Sequence, residues 1–233
     1  MAHLGKMISL KSGDGAAIDY YHVAAQGTRK GGLVCVMEIF GVTDHIKDVC
    51  DAWARDGLEV VSPALYDRSQ KNFQVGYAPE DIQTALALRA KNSMENCIMD
   101  VQAGIDFLKK SNAGPVYVTG YCYGGSISWV AAARCTGLSA AAGYYGGMIG
   151  EFIGEKPKCP TILHFGEHDK SIPMETVRKI EAAHPNVPVY VYDAGHGFQS
   201  DRRTDYNEAC AKLAKQRNLE LFCLLYTSPS PRD

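Results

Sequence analysis

A cysteine between two glycines constrains the fold of this 233-residue chain more than any other feature. The stretch Gly120-Tyr121-Cys122-Tyr123-Gly124 follows an apolar run at 115–119, which predicts a strand, and precedes a helical pattern at 125–133. A strand, a sharp glycine-flanked turn and a helix form the elbow that presents a reactive side chain at the edge of a sheet. The pattern predicts that Cys122 points outward from a strained turn, with a helix N-terminus behind it that favours a thiolate.

Strands and helices alternate along the rest of the chain. Apolar runs predict strands at 33–37, 59–62, 115–119, 140–144, 159–165 and 187–192. Helical patterns predict helices at 43–55, 79–91, 93–110, 125–133, 173–183 and 204–221. This alternation predicts an α/β fold in which helices cover both faces of a mostly parallel sheet. A core of this kind needs most of the length, so we expect one domain over 1–222 and no lid domain.

Composition excludes several classes of function. The net charge is −2 and the basic residues are scattered, so we expect no binding of nucleic acid. No apolar run reaches the roughly 18 residues of a membrane span, and the first residues do not resemble a signal peptide. We therefore expect a cytoplasmic protein. None of the eight cysteines forms a C-x-x-C pair, which argues against a metal ribbon or a dithiol redox motif.

The last eleven residues differ from the rest. The segment 223–233, which ends in Pro229-Ser230-Pro231-Arg232-Asp233, breaks the preceding helical pattern and resembles translated vector sequence. We predict that it is a non-native tail and poorly ordered.

Two further polar loops follow predicted strands, as a nucleophile on an elbow requires. Asp169 comes after the strand at 159–165, and His196 lies between glycines after the strand at 187–192. Both loops leave the same edge of the sheet as the elbow, in the order nucleophile, acid, histidine. We predict that His196 is the base and that Asp169 orients it. Asp193 is the alternative acid, and His168 is a weaker alternative base.

Five motifs together resemble those of the dienelactone hydrolases (carboxymethylenebutenolidases), which have the α/β-hydrolase fold. They are Met37-Glu38-Ile39-Phe40-Gly41-Val42, Gly120-Tyr121-Cys122-Tyr123-Gly124-Gly125, Gly143-Tyr144-Tyr145-Gly146, Gly166-Glu167-His168-Asp169 and Ala194-Gly195-His196-Gly197-Phe198. The resemblance implies that Cys122 is the nucleophile, with His196 and Asp169 as its partners. It also implies that Glu38 is an additional active-site carboxylate that pairs with the thiol. The rule for the fold predicts that the N–H groups of Ile39 and Tyr123 bind the oxyanion.

The resemblance further implies hydrolysis of a small lactone or ester whose carboxylate is held by arginines. Arg203 is the first candidate and Arg202 the second, while Arg68 and Arg89 are alternatives for a further arginine. Phe40 and Tyr145 are expected to line the pocket. No cofactor and no metal are expected.

The predicted activity is a thiol-dependent carboxylic ester hydrolase that passes through a thioester, as a monomer or small homo-oligomer. The alternative is a redox-responsive or ligand-binding relative in which Cys122 is not catalytic. A serine hydrolase would need serine in the elbow, whereas Ser126 falls inside the helix.

Overall fold

The computed structural model describes residues 2–111 and 113–227. Its strands are β1 (Lys6–Lys11), β2 (Ala17–Val23), β3 (Gly31–Val36), β4 (Leu58–Pro63), β5 (Val116–Tyr121), β6 (Ala140–Tyr144), β7 (Thr161–Gly166) and β8 (Val189–Tyr192). Its helices are α1 (Asp44–Arg55), α2 (Pro79–Arg89), α3 (Met94–Ser111), α4 (Tyr123–Arg134), α5 (Met174–Ala183) and α6 (Glu208–Thr227). None of the described helices combines the length and the apolar composition needed to cross a bilayer.

All of these strands belong to one sheet, in the order β1-β2-β4-β3-β5-β6-β7-β8. β2 pairs antiparallel with β1 and β4, and every later pairing is parallel. The predicted mostly parallel α/β fold is confirmed. The elbow strand β5 lies between β3 and β6, so the segments that follow those two strands flank Cys122 on opposite sides.

The centre of the sheet is buried on both faces. Every residue of β3, β4, β5, β6 and β7 is buried, as expected for parallel strands with near-continuous apolar runs. α4 packs so closely on this sheet that a Cβ on Gly124 would collide with the carbonyl oxygen of Val36, and one on Gly125 with that of Tyr144. The two glycines after the cysteine are therefore required by the approach of α4 to β3 and β6.

The sequence patterns missed β1 and β2 and misplaced the end of α6. β1 is an exposed edge strand and β2 alternates imperfectly, so neither produces a continuous apolar run. The backbone of α6 continues to Thr227, past the break predicted at residue 223. Residues 228–233 of the predicted tail lie outside the described residues, and its non-native origin stays a prediction.

Candidate active site

Cys122 occupies a strained turn between β5 and α4. It caps the N-terminus of α4 with φ 55° and ψ −113°, a conformation that costs a non-glycine residue energy. Its N–H donates to the carbonyl oxygen of Tyr144 (3.0 Å), and its own carbonyl accepts from the N–H of Gly125 (3.0 Å). These bonds tie the turn to β6 and to the first turn of α4, so the fold holds a half-buried thiol at the rim of the sheet.

Asp169 and His196 meet beside this thiol. The Nδ1 of His196 lies 2.6 Å from Oδ2 of the buried Asp169. The other oxygen of Asp169 accepts from the N–H groups of Ser171 (2.8 Å) and Ile172 (3.1 Å), which fixes the carboxylate. Because Nδ1 is occupied by Asp169, Nε2 is the ring nitrogen of His196 that is left for Cys122, which lines the same cavity.

The environment of His196 favours its protonated form. Burial lowers the pKa of His196, but the charge of Cys122 and the hydrogen bonds with Asp169 and Cys122 outweigh burial and raise that pKa to about 10. At neutral pH the imidazole therefore carries a proton next to the sulfur, where the proton can pass to a leaving group.

The alternative acid and base pair with each other elsewhere. Nε2 of His168 lies 2.7 Å from Oδ1 of Asp193, and both side chains are exposed. Ser126 also lines the cavity but is fully buried inside α4, where its Oγ accepts from the N–H of Met148 (3.0 Å), whereas the strained turn presents Cys122. His164 is fully buried between Tyr192 and Asn218, and burial lowers its pKa to about 3, which keeps it neutral.

Glu38 lies directly after β3, is fully buried, and contacts a tyrosine and an arginine. Its Oε2 accepts from the hydroxyl of Tyr77 (3.1 Å), and its Oε1 lies 4.0 Å from Nη1 of Arg203. Among the described residues, no hydrogen bond joins Glu38 to Cys122. The predicted pairing of Glu38 with the thiol therefore stays a prediction.

Two backbone N–H groups are available for an oxyanion. Ile39 lies in the turn after β3 and lines the cavity at Cys122, and within the described residues its N–H has no acceptor. Tyr123 is the first residue of α4, where a backbone N–H has no acceptor in its own helix. Both residues line the same cavity as the thiol.

That cavity has a volume of about 400 Å³ and contains Cys122 and His196. Its apolar wall includes Ile39, Phe40, Ile82, Leu86, Met148 and Ile172, and its charged lining residues are Arg89, Glu151 and Arg203. Phe40 thus lies on the cavity wall, and its contact with a substrate stays a prediction. A cavity of this size suits a small molecule.

Of the candidate arginines, only Arg203 and Arg89 line this cavity. The guanidinium of Arg89, at the end of α2, lies 6.0 Å from the ring centre of Tyr123. The expectation for Arg202 is wrong, because this exposed side chain pairs with Asp48 (2.9 Å) on the surface. Arg68 is bound to the buried Asp100 (2.7 Å) and is also unavailable.

Tyr145 does not line the cavity, which corrects the expectation for it. It is fully buried with φ 36°, and its ring centre lies 5.1 Å from that of His196. Its ring therefore packs against that of His196 and does not form part of the cavity wall.

Within the part of the chain that the structure describes, His3, Asp48 and Asp51 are the donors close enough together to share a metal ion. Asp51 already accepts from the hydroxyl of Tyr21 (2.6 Å) and the N–H of Leu4 (2.9 Å). None of the three lines the cavity at Cys122. They therefore offer no metal chemistry to the thiol.

Comparison with known proteins identifies the family of this chain. The model of the "Dienelactone hydrolase family" matches residues 18–225. A "Putative carboxymethylenebutenolidase" of Salmonella typhimurium is 33% identical over 205 residues, which cover 82% of this chain and 76% of that protein. "Carboxymethylenebutenolidase 1" of Cupriavidus pinatubonensis is 30% identical over 203 residues, covering 83% of this chain and 86% of the relative.

Among solved structures, a "Putative Dienelactone Hydrolase" from Klebsiella pneumoniae superimposes with a TM-score of 0.82 at 26% identity. The superposition covers 96% of this chain and 99% of that one. The chain belongs to the dienelactone hydrolase family, has the α/β-hydrolase fold, and is a hydrolase of ester or lactone bonds.

Proposed function

We propose that this protein hydrolyses small lactones and esters, including dienelactone-like enol lactones, through Cys122, His196 and Asp169 and a thioester intermediate. One observation carries the proposal. The 2.6 Å contact between Asp169 and His196 lies beside a cysteine that the elbow holds at φ 55°. A nucleophile, a base and a group that orients the base are the parts that covalent ester hydrolysis requires.

In the first half of the reaction, the thiolate of Cys122 attacks the substrate carbonyl carbon. The N–H groups of Ile39 and Tyr123 bind the resulting oxyanion, and such a donor is typically worth about 2.7–4 kcal/mol of barrier. The bond from carbon to the leaving oxygen then breaks. Protonated His196 supplies the proton that an alkoxide needs, whereas the stabilised enolate of an enol lactone leaves with less help.

In the second half, the same histidine works as a base. The charge of Cys122 is the largest cause that raises the pKa of His196, and thioester formation removes that charge. The imidazole, which is neutral after giving its proton to the leaving group, can then take a proton from water. Hydroxide adds to the thioester carbon, the carbon–sulfur bond breaks, and the carboxylic acid leaves. The sulfur of Cys122 is then free again, and the proton taken from water stays on His196 beside it.

The lining of the cavity supports a substrate that carries a carboxylate. Arg203 and Arg89 are the cationic side chains on its wall, and arginine binds carboxylates with good geometry. Apart from Glu151, Ser126 and Ser171, the rest of the wall is largely apolar, and the cavity has a volume of about 400 Å³. We therefore place the substrate among small carboxylated lactones and esters.

Turnover of an enol lactone and of p-nitrophenyl acetate by wild type and Cys122→Ala tests this proposal. We expect Cys122→Ala to lose hydrolysis of both, while the matched control Cys159→Ala, which alters a half-buried cysteine outside the cavity, keeps it. Detection of an acyl group on Cys122 by mass spectrometry would support the thioester. Equal turnover in wild type and Cys122→Ala would reject the proposal and favour the redox-responsive or ligand-binding alternative.

A further inference from the structure

Tyr77 contacts both charged groups at one end of the cavity. Its hydroxyl donates to Oε2 of Glu38 at 3.1 Å and lies 3.4 Å from Oγ of Ser200. The guanidinium of Arg203 lies 5.6 Å from the centre of its ring, and the ring packs edge-on against Phe40 at 4.6 Å. One side chain, placed in the segment before α2, thus contacts the end of β3 and the segment after β8.

Glu38 depends on this hydroxyl for its hydrogen bonding. Within the described residues its other oxygen, Oε1, is buried without a hydrogen-bond partner, and the nearest cation is Arg203 at 4.0 Å. That distance is too long for a direct hydrogen bond. Arg203 therefore lies near a buried carboxylate without being locked to it, and it still lines the cavity.

We propose that Tyr77 is a positioning residue that satisfies Glu38 and so keeps Arg203 available to a substrate anion. This inference rests on the anion-binding role proposed above for Arg203. Burial and then the charge of Glu38 raise the pKa of Tyr77, so the hydroxyl keeps its proton and continues to donate.

Loss of the hydroxyl would change the partner of Glu38. A buried carboxylate without a donor is costly, and Arg203 needs to move only about 1 Å from its 4.0 Å separation to turn this long ion pair into a hydrogen-bonded one. In that ion pair the guanidinium would give its charge and its donors to Glu38 and hold an incoming anion less well. Tyr77→Phe removes only the oxygen and keeps the ring that packs against Phe40 and Arg203.

Alkylation of Cys122 tests the proposal without requiring any hydrolysis. The probes are iodoacetate, which is anionic, and iodoacetamide, which is neutral and similar in size, with modification of Cys122 followed by peptide mass spectrometry. We expect Tyr77→Phe to lower the ratio of the two rates by roughly two- to fivefold, the size of effect that a solvent-accessible charge contact has. Ser200→Ala, which removes the other partner of the same hydroxyl, should leave the ratio near that of wild type. An unchanged ratio in Tyr77→Phe would overturn the proposal.

Glu38→Gln distinguishes this mechanism from a general loosening of the site. With a neutral residue at position 38, the negative charge that lies 4.0 Å from Arg203 and competes with an anion for it is gone, so the ratio should rise above that of wild type. Tyr77→Phe should then have no further effect when it is added to Glu38→Gln. A lower ratio in the double variant than in Glu38→Gln would contradict the proposal, and so would the absence of a rise in Glu38→Gln. Both results can be obtained even if Tyr77→Phe alone fails to fold. Because these ratios require no turnover, they can hold or fail independently of the proposed hydrolase activity.

Discussion

Asp169→Asn should abolish most of the hydrolysis while leaving the fold intact, and the reason lies in how the carboxylate is held. Oδ1 of Asp169 accepts from two backbone N–H groups, those of Ser171 and Ile172. An asparagine must place its oxygen there, because its amide nitrogen cannot accept these bonds. The nitrogen then faces Nδ1 of His196 and presents a donor where the wild type presents an acceptor.

The size of the expected rate loss follows from this exchange of an acceptor for a donor. His196 can use Nε2 as a base only if its proton is on Nδ1. In the variant, this N–H would face the amide N–H of the asparagine at about the 2.6 Å that now separates Nδ1 from Oδ2. Two buried donors without acceptors cost about 1–3 kcal/mol each, or about 2–6 kcal/mol together. At about 1.36 kcal/mol for each factor of ten, the rate should fall between about 30-fold and 10⁴-fold. The opposite tautomer avoids this cost but aims a proton at Cys122 and cannot activate water.

Steady-state hydrolysis of p-nitrophenyl acetate measures the loss, and intact-protein mass spectrometry shows whether an acyl-enzyme accumulates. Asp193→Asn is the matched control, since it removes a carboxylate that also contacts a histidine but lies exposed on the surface. We expect this control to stay within about twofold of wild type, because exposed ion pairs contribute little. A loss in Asp169→Asn below threefold, or an equal loss in both variants, would refute the assignment of Asp169.

Three further outcomes are expected. Because the pKa of His196 is raised from 6.5 to about 10, its protonated form stabilises the fold fully below about pH 6.5, and this stabilisation disappears as the pH rises through about 10. Thermal melting should therefore show a larger decline between pH 7 and 10.5 in wild type than in His196→Gln; parallel curves would contradict this. Arg89→Gln should raise KM for a carboxylated ester several-fold relative to KM for its neutral analogue, whereas Arg202→Gln should not. Equal changes of KM in the two variants would exclude Arg89 from substrate binding. Gly124→Ala should lower the free energy of unfolding in denaturant titrations by about 1–3 kcal/mol or more, because its methyl group meets the backbone of β3, while Gly154→Ala, which has open space, should be neutral. Equal stability of the two glycine variants would contradict the close packing of α4.

The positions of Cys122, Asp169 and His196 could be predicted because they depend on strand ends. Parallel strands deliver their following loops to one edge, and β5, β7 and β8 are parallel members of one sheet. The sequence could not choose Asp169 over Asp193 on spacing alone. The choice depends on two backbone donors that only the folded loop brings to Asp169.

The charged wall of the cavity was harder to predict, for a physical reason. Arg202 and Arg203 are neighbours in a loop, where no periodicity determines which side chain faces inward, and the structure turns Arg203 to the cavity. Arg89 depends on the rotation of α2 about its axis, and this helix buries only Ala85 and Leu88. Tyr77 lies in a segment without a repeating pattern, so no sequence signal connected it with Glu38.

The residues that hold Cys122 and the residues around Arg203 differ in how closely they are connected to the core. The strained turn at Cys122 is held by the carbonyl of Tyr144 and by α4, which packs against β3 and β6 through Gly124 and Gly125. The contacts that position the nucleophile are thus also core contacts, and changes there should cost activity and stability together. Tyr77 and Arg203 belong to segments outside the sheet and reach the core mainly through Glu38 and Phe40. Substitutions at Tyr77 and Arg203 can therefore alter selectivity between anionic and neutral esters while the fold and the thiol chemistry persist.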